Sequence, residues 1–207
     1  FFTWNVTGTS QVWKLLGPNQ FPTQMTAGEN PTSLVGITRD GQYLILSRDN
    51  AGDEFYGIYL QSVNGGPLEA VYQKNKVRAG YNTQSPDGRY LYFSANSEEP
   101  SSMAVSRYDM KEKKVELVFS EKGTWSVDDV NANGNILLNN QKNNFSNEYF
   151  VYNPSTKVKE PLLGAGETEV RYDAAWAPDG TNFFVTTDKF GEFMRLYFYR
   201  NAKYFKN

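Results

Sequence analysis

The sequence contains neither cysteine nor histidine. Without cysteine there is no disulfide, no thiolate zinc site and no cysteine nucleophile, and the redox compartment stays open. Without histidine, a Ser-His-Asp triad and a metal site with imidazole ligands cannot be assembled from these residues. The serines therefore have no histidine to activate them, and we expect this chain to hold no catalytic residue and no cofactor.

A charge imbalance and long apolar runs are also missing. The chain has 21 basic and 23 acidic residues and a formal net charge of −2, which gives no field for nucleic acid or an anionic membrane. No apolar run approaches the roughly 20 residues of a membrane span, and the first residues lack the basic and apolar regions of a signal peptide. We expect no nucleic-acid and no membrane partner, and the sequence leaves the cellular location open.

Turn dipeptides, in contrast, recur along the chain at a nearly fixed interval. They are separated by 47, 46 and 46 residues, and they are Asp40-Gly41, Asp87-Gly88, Asn133-Gly134 and Asp179-Gly180. Such dipeptides are typical of hairpin turns that need a positive φ. A repeat of this length with hairpin signals in each unit predicts an all-β protein, a β-propeller with blades of four strands.

Each repeat unit carries the same order of short strands, and both ends of the chain read as incomplete units. The predicted boundaries are a partial blade over 1–26, blades over about 27–73, 74–119 and 120–164, and a partial blade over 165–207. The ends supply about six strands, which is too many for one shared blade. We therefore favour an open piece of a longer propeller, able to self-associate through its unpaired edges, over a small ring closed by its own ends.

One tyrosine recurs 17 to 20 residues after each turn glycine. These tyrosines are Tyr59, Tyr108, Tyr152 and Tyr197. We predict that they occupy equivalent blade positions and are largely buried, because aromatic side chains suit the packed faces of strands.

Several stretches resemble known propeller repeats. The segments Pro86-Asp87-Gly88-Arg89-Tyr90 and Pro178-Asp179-Gly180 resemble the S-P-D-G turn of Tol-type and WD40-like propellers. Three further stretches resemble the propellers of the prolyl oligopeptidase family of serine peptidases: Arg48 to Tyr59, Gly8 to Leu15 and Asn64-Gly65-Gly66-Pro67. The likeness spans nearly the whole chain.

The resemblance implies a function that lies partly outside this chain. In the prolyl oligopeptidase family the propeller sits over an α/β-hydrolase domain and restricts substrates to short or flexible peptides. The hydrolase domain carries a G-x-S-x-G nucleophile elbow, which this sequence lacks. The implied partners are thus a hydrolase domain of the parent chain and a peptide substrate. A stand-alone Tol-type scaffold for protein binding is the alternative, and a propeller glycosidase or lactonase ranks below both.

Three acidic residues near the predicted first strands are candidates for lining the central channel: Asp128, Asp129 and Asp173. Convergent carboxylates there would bind a cation or the amino group of a peptide. The competing and favoured interpretation is structural, with these side chains capping strand ends or bonding to neighbouring blades. Alternation along a strand leaves the direction of each side chain open.

Overall fold

The fold is described from a computed structural model, which covers residues 1–50 and 52–200. Within these residues the chain forms antiparallel strands and no helix, and hence no helix of the kind that could span a membrane. The strands make five sheets, in which each strand pairs with the next along the sequence. The predicted all-β class with four-stranded units is confirmed.

The strands are grouped by sheet as follows. The first sheet has β1 (Phe2–Trp4), β2 (Gln11–Lys14) and β3 (Thr23–Gln24), and the second has β4 (Thr32–Ile37), β5 (Tyr43–Arg48), β6 (Gly57–Ser62) and β7 (Glu69–Tyr72). The third has β8 (Ala79–Gln84), β9 (Tyr90–Ala95), β10 (Ala104–Asp109) and β11 (Lys114–Phe119). The fourth has β12 (Thr124–Val130), β13 (Ile136–Asn143), β14 (Ser146–Asn153) and β15 (Val158–Leu163), and the fifth has β16 (Tyr172–Trp176), β17 (Phe183–Thr187) and β18 (Arg195–Tyr199).

The four recurring dipeptides form the predicted hairpin turns between the first and second strands of successive sheets. Their glycines have φ values of 70°, 72°, 78° and 69° in chain order, a left-handed conformation that glycine adopts without steric cost. Each turn is closed by a backbone hydrogen bond to the carbonyl oxygen of a residue that either begins the second strand or lies directly before it. These closing residues are Tyr43, Tyr90, Asn135 and Asn182.

Apolar residues from consecutive sheets pack into shared cores. Ile45 and Leu60 of the second sheet pack with Leu91 and Phe93 of the third. Tyr92 of the third sheet joins a core of the fourth, and the same arrangement recurs between the fourth and fifth sheets. A single sheet cannot bury both of its faces, so the stability belongs to the stacked array. This stacking of small antiparallel sheets is the propeller architecture.

The first strands of the second to fifth sheets lie side by side and form what we call the inner surface, made of β4, β8, β12 and β16. Strand β12 contacts both β8 and β16, and the ring of Tyr81 in β8 lies against Gly36 in β4. Three of these strands carry a bulge at the same place relative to the turn. The extra residues are Val35, Asn82 and Asp128, whereas β16 pairs regularly with β17.

The four repeated tyrosines all lie in third strands, as predicted, but the prediction that all four are largely buried is wrong for two of them. Tyr108 and Tyr152 are buried, whereas Tyr59 and Tyr197 are half-buried. The cause is register. Tyr152 pairs with Ile136, the first residue of its second strand, while Tyr197 pairs with Val185, the third residue of its own.

The two end sheets have three strands each. Strand β2 packs on β4 in the same way that the third strands β10 and β14 pack on β12 and β16. Strand β2 therefore corresponds to a third strand, and the described residues include no innermost strand of the first sheet. The fifth sheet lacks an outermost strand among the described residues, and the predicted last unit runs on into 201–207, outside them. No strand of the first sheet pairs with a strand of the fifth across the described ranges, so these residues form an open series of sheets.

Candidate functional site

The Asp128 carboxylate is the centre of a polar network on the inner surface. Its bulge position places it beside its own sheet's second and third strands. Oδ1 accepts a hydrogen bond from the hydroxyl of Ser126 at 3.1 Å, and Oδ2 accepts from Nδ2 of Asn139 at 3.0 Å and from the hydroxyl of Tyr149. A β-bulge changes the direction in which a side chain points, and here it directs Asp128 toward these donors.

Burial by surrounding protein raises the pKa of Asp128, and the negative charge of Asp173 raises it further. The hydrogen bonds from Tyr149, Asn139 and Ser126 oppose that rise. The side chain is nevertheless accessible to solvent. Both descriptions hold for a group in a concave surface, where protein atoms crowd the carboxylate on several sides and leave one side open.

Tyr149 is a buried hydrogen-bond donor to this carboxylate. Its ring is fully buried, and burial together with the neighbouring Asp128 charge raises the pKa of its hydroxyl far above the ordinary value. The hydroxyl therefore stays protonated and donates, fixing one oxygen of Asp128 in place.

Asp129, the next residue, has a different role. Its Oδ2 accepts a hydrogen bond from the backbone N–H of Trp176 in the fifth sheet at 2.8 Å, and its Oδ1 accepts from the backbone N–H of Val130 at 2.8 Å. The carboxylate thus joins two neighbouring sheets.

Asp173 lies exposed on β16, opposite Thr186, whose hydroxyl donates to its Oδ2 at 3.2 Å. Its charge acts on Asp128 across the junction of the fourth and fifth sheets. The structure therefore brings Asp128 and Asp173 into one electrostatic environment, while the carboxylate of Asp129 is taken up by backbone donors.

A cleft of about 170 Å³ opens at the same junction, and it is lined mainly by amide side chains. Asn147 is the central one. Its Nδ2 donates to the carbonyl of Tyr172 at 2.8 Å and to Oδ1 of Asn139 at 3.1 Å, and its Oδ1 accepts from the N–H of Tyr172 at 2.9 Å. Sequence reasoning missed both asparagines, although the amide-rich stretch from Asn139 to Asn144 was a visible signal.

This arrangement offers several polar groups for binding. Carboxylates and amides offer acceptors for an amino group and both donors and acceptors for a peptide backbone. No group of three acidic side chains within the described residues could hold a metal ion.

The fold is that of a β-propeller, and comparisons with known proteins find solved structures of similar shape. The sequence matches no protein-family model and no curated protein sequence. A solved prolyl endopeptidase structure, from a study of inter-domain dynamics in two such enzymes, is similar over 94% of this chain and 31% of its own, with a TM-score of 0.70 and 14% identity.

Two Tol-type propellers are also similar. TolB from Acinetobacter baumannii matches 86% of this chain and 43% of its own, with a TM-score of 0.60 and 15% identity. A putative TolB from Agrobacterium tumefaciens matches 94% of this chain and 69% of its own, with a TM-score of 0.61 and 18% identity. The chain thus spans less than half of the first two structures. At these identities the likeness establishes a shared propeller fold.

Proposed function

We propose that this chain is the non-catalytic propeller of a prolyl oligopeptidase-type serine peptidase, and that it controls the access of peptides to a hydrolase domain elsewhere in the parent protein. The observation that carries the proposal is the similarity to a prolyl endopeptidase over 94% of the chain at a TM-score of 0.70, against 0.60 and 0.61 for the Tol-type propellers. The absence of histidine is consistent with a part that binds and leaves catalysis to another domain.

The inner surface would provide the peptide contact. Asp128, with Asp173 nearby, offers negative charge to a peptide amino terminus, and the amide-lined cleft offers donors and acceptors to its backbone. Because Asp128 is crowded by protein yet open on one side, a bound ammonium group there would be partly shielded from water, where charge attraction is stronger.

Peptide binding to the 207-residue chain tests this function. A short proline-containing peptide is titrated calorimetrically with its amino terminus either free or acetylated. We expect the free form to bind about tenfold more tightly, corresponding to about 1.4 kcal/mol. Asp128→Asn should abolish that preference, whereas Glu112→Gln, an exposed acid in a hairpin of the third sheet, should keep it. Equal binding of both peptides by the unchanged chain would refute the role of Asp128.

Catalysis is tested separately. The 207-residue chain should not hydrolyse a p-nitroanilide peptide, because it has no histidine base and no cysteine. Turnover that copurifies with the chain and disappears on replacing one of its own serines would contradict the non-catalytic assignment.

A stand-alone Tol-type scaffold for protein binding is the second candidate. It is favoured by the 69% of the putative TolB chain that this chain matches, the largest share among the three structures. The sequence downstream of Asn207 discriminates between the two. A G-x-S-x-G elbow followed by an aspartate and a histidine would support the peptidase, and a stop codon close to Asn207 would support the scaffold.

A further inference from the structure

The amide-lined cleft between the fourth and fifth sheets has a single cation among its lining residues, Arg171. This residue directly precedes β16, and its backbone N–H donates to Oδ1 of Asp188 at 2.9 Å. Its guanidinium forms no hydrogen bond, ion pair or ring contact with any of residues 1–50 and 52–200. The side chain is exposed, so this charge is open to a ligand in the cleft.

A second polar group of the cleft also lacks a partner. Ser146 begins β14 in the fourth sheet and is only 3% exposed, yet it lines the cleft. Within the part of the chain that the structure describes, its hydroxyl makes no hydrogen bond. A buried hydroxyl without a partner is unfavourable, and an acceptor atom on a bound ligand would satisfy it.

The central amides of the cleft, in contrast, already use their N–H groups within the protein. Nδ2 of Asn139 donates to Asp128, and Nδ2 of Asn147 donates to a backbone carbonyl of the fifth sheet and to Asn139. These amides hold the two sheets in position, and they leave Arg171 and Ser146 as the donors that a ligand can reach. A guanidinium and a hydroxyl both donate hydrogen bonds, so together they suit a group with two acceptor oxygens, such as a carboxylate.

We propose that Arg171 and Ser146 bind a carboxylate of the peptide whose amino group lies near Asp128. This inference rests on the proposed function, because it takes the ligand to be a peptide. Arg171 precedes Asp173 by two residues, which is about 7 Å along an extended strand, and the charge of Asp173 acts on Asp128. The cleft thus has a positive and a negative end, and an extended peptide spans a similar distance with about two residues. The carboxylate is therefore either the carboxyl terminus of a very short peptide or an acidic side chain close to the amino terminus.

NMR titration of the isotope-labelled 207-residue chain tests the contact, with the backbone amide of Asn147 in the cleft as the reporter. The probes are N-acetylproline, which has a carboxylate and no amino group, and N-acetylprolinamide, which has neither charge. We expect N-acetylproline to bind at least about tenfold more tightly. Arg171→Met should abolish this preference and Ser146→Ala should reduce it, whereas Lys111→Met, at an exposed lysine in a hairpin of the third sheet, should keep it.

Two pairs of short peptides then identify the source of the carboxylate. The first pair differs in a free or amidated carboxyl terminus, and the second, with amidated ends, differs in glutamate or glutamine next to the amino-terminal residue. Tighter binding of the carboxylate member in either pair supports the proposal and names the source. No preference for the carboxylate with any probe, or a preference that survives Arg171→Met, would overturn it.

Failure of this inference is distinguishable from failure of the proposed function. The acetylated probes have no amino terminus, so the preference for N-acetylproline does not depend on Asp128. A chain that prefers free amino termini and ignores carboxylates would keep the proposed function and refute the role of Arg171. A chain with the opposite preferences would keep the carboxylate site and refute the role of Asp128.

Discussion

Asp128 is the residue whose surroundings determine its chemistry most directly. Its pKa is raised because protein crowds the carboxylate, with Asp173 adding repulsion and Tyr149 opposing the shift by donating a hydrogen bond. A raised pKa in the folded state means that the ionised form of Asp128 is less favourable in the folded protein than in the unfolded chain. The free energy of unfolding that Asp128 contributes is therefore fully present below its unfolded pKa of about 3.9 and is lost as the pH rises through the folded value.

Two substitutions should move this pKa in opposite directions. Tyr149→Phe removes a donor to Oδ2 and should raise the pKa of Asp128 further, whereas Asp173→Asn removes a negative charge and should lower it. The shift is read from the carboxyl carbon of Asp128 by NMR titration. Tyr152→Phe is the control, because its hydroxyl donates to the carbonyl of Val118 instead. An unchanged pKa in Asp173→Asn would show that the two acids do not interact.

Among the strand ends, the one after β15 has the least room. Gly164 has a φ of +80°, and a Cβ atom there would overlap the carbonyl oxygen of Asn147, which belongs to the neighbouring strand and to the amide cleft. A left-handed conformation alone costs an L-residue about 1–2 kcal/mol, and the overlap adds strain that rigid backbone cannot relieve.

Gly164→Ala should therefore destabilise the protein by at least about 2 kcal/mol, the range of substitutions that force backbone strain. Gly191→Ala is the matched control, because it has open space around it and no left-handed φ, and it should change stability by less than about 0.5 kcal/mol. Urea unfolding of both variants measures the difference. Similar midpoints for the two would refute the close approach of Gly164 to β14.

The elements also show what sequence reasoning could reach. The turns at Asp40-Gly41 and its counterparts were predictable because their dipeptides need a positive φ that few other residues tolerate. The registers of Tyr59 and Tyr152 were not, because they depend on where the second strand begins and how the hairpins pair. The direction of Asp128 was not predictable either, since a bulge interrupts the alternation on which such a prediction rests.

Asn139 and Asn147 escaped prediction for a different reason. The amide-rich stretch from Asn139 to Asn144 marks the region in the sequence. Amide side chains nevertheless form no spacing signature comparable to that of metal ligands or catalytic acids, so the sequence does not show that Asn139 contacts Asn147. The carboxylate of Asp129 accepts a hydrogen bond from the backbone of Trp176 in the next sheet. This contact distinguishes the role of Asp129 from that of its neighbour Asp128, and it is visible only in the three-dimensional structure.

For the whole molecule, the number of covered faces should set local stability. Among residues 1–50 and 52–200, the second, third and fourth sheets are covered on both faces, whereas the first and fifth are each covered on one. In an array stabilised by neighbour contacts, end units open at lower free energy than internal ones.

Hydrogen exchange at low protein concentration should reveal this gradient. Amides around Leu91 and Ile136 should exchange most slowly, and those of β1 and β18 fastest. Val12→Ala, in the junction of the first and second sheets, should speed exchange in β1 and β2 while leaving β13 unchanged. Uniform protection across all five sheets would instead indicate a single cooperative unit.

The repeated bulge also has an evolutionary consequence. Removing Asn82 would leave Tyr81 and Thr83 adjacent, opposite Phe93 and Tyr92, which are already adjacent on the partner strand. The ladder on both sides would keep its register, and β16 shows the regular pairing that results. A one-residue gain or loss at this point therefore preserves the register of the sheet while it adds or deletes a side chain on the inner surface. Related propellers can thus diversify that surface by gaps as well as by substitution, and an alignment of them should place its gaps there.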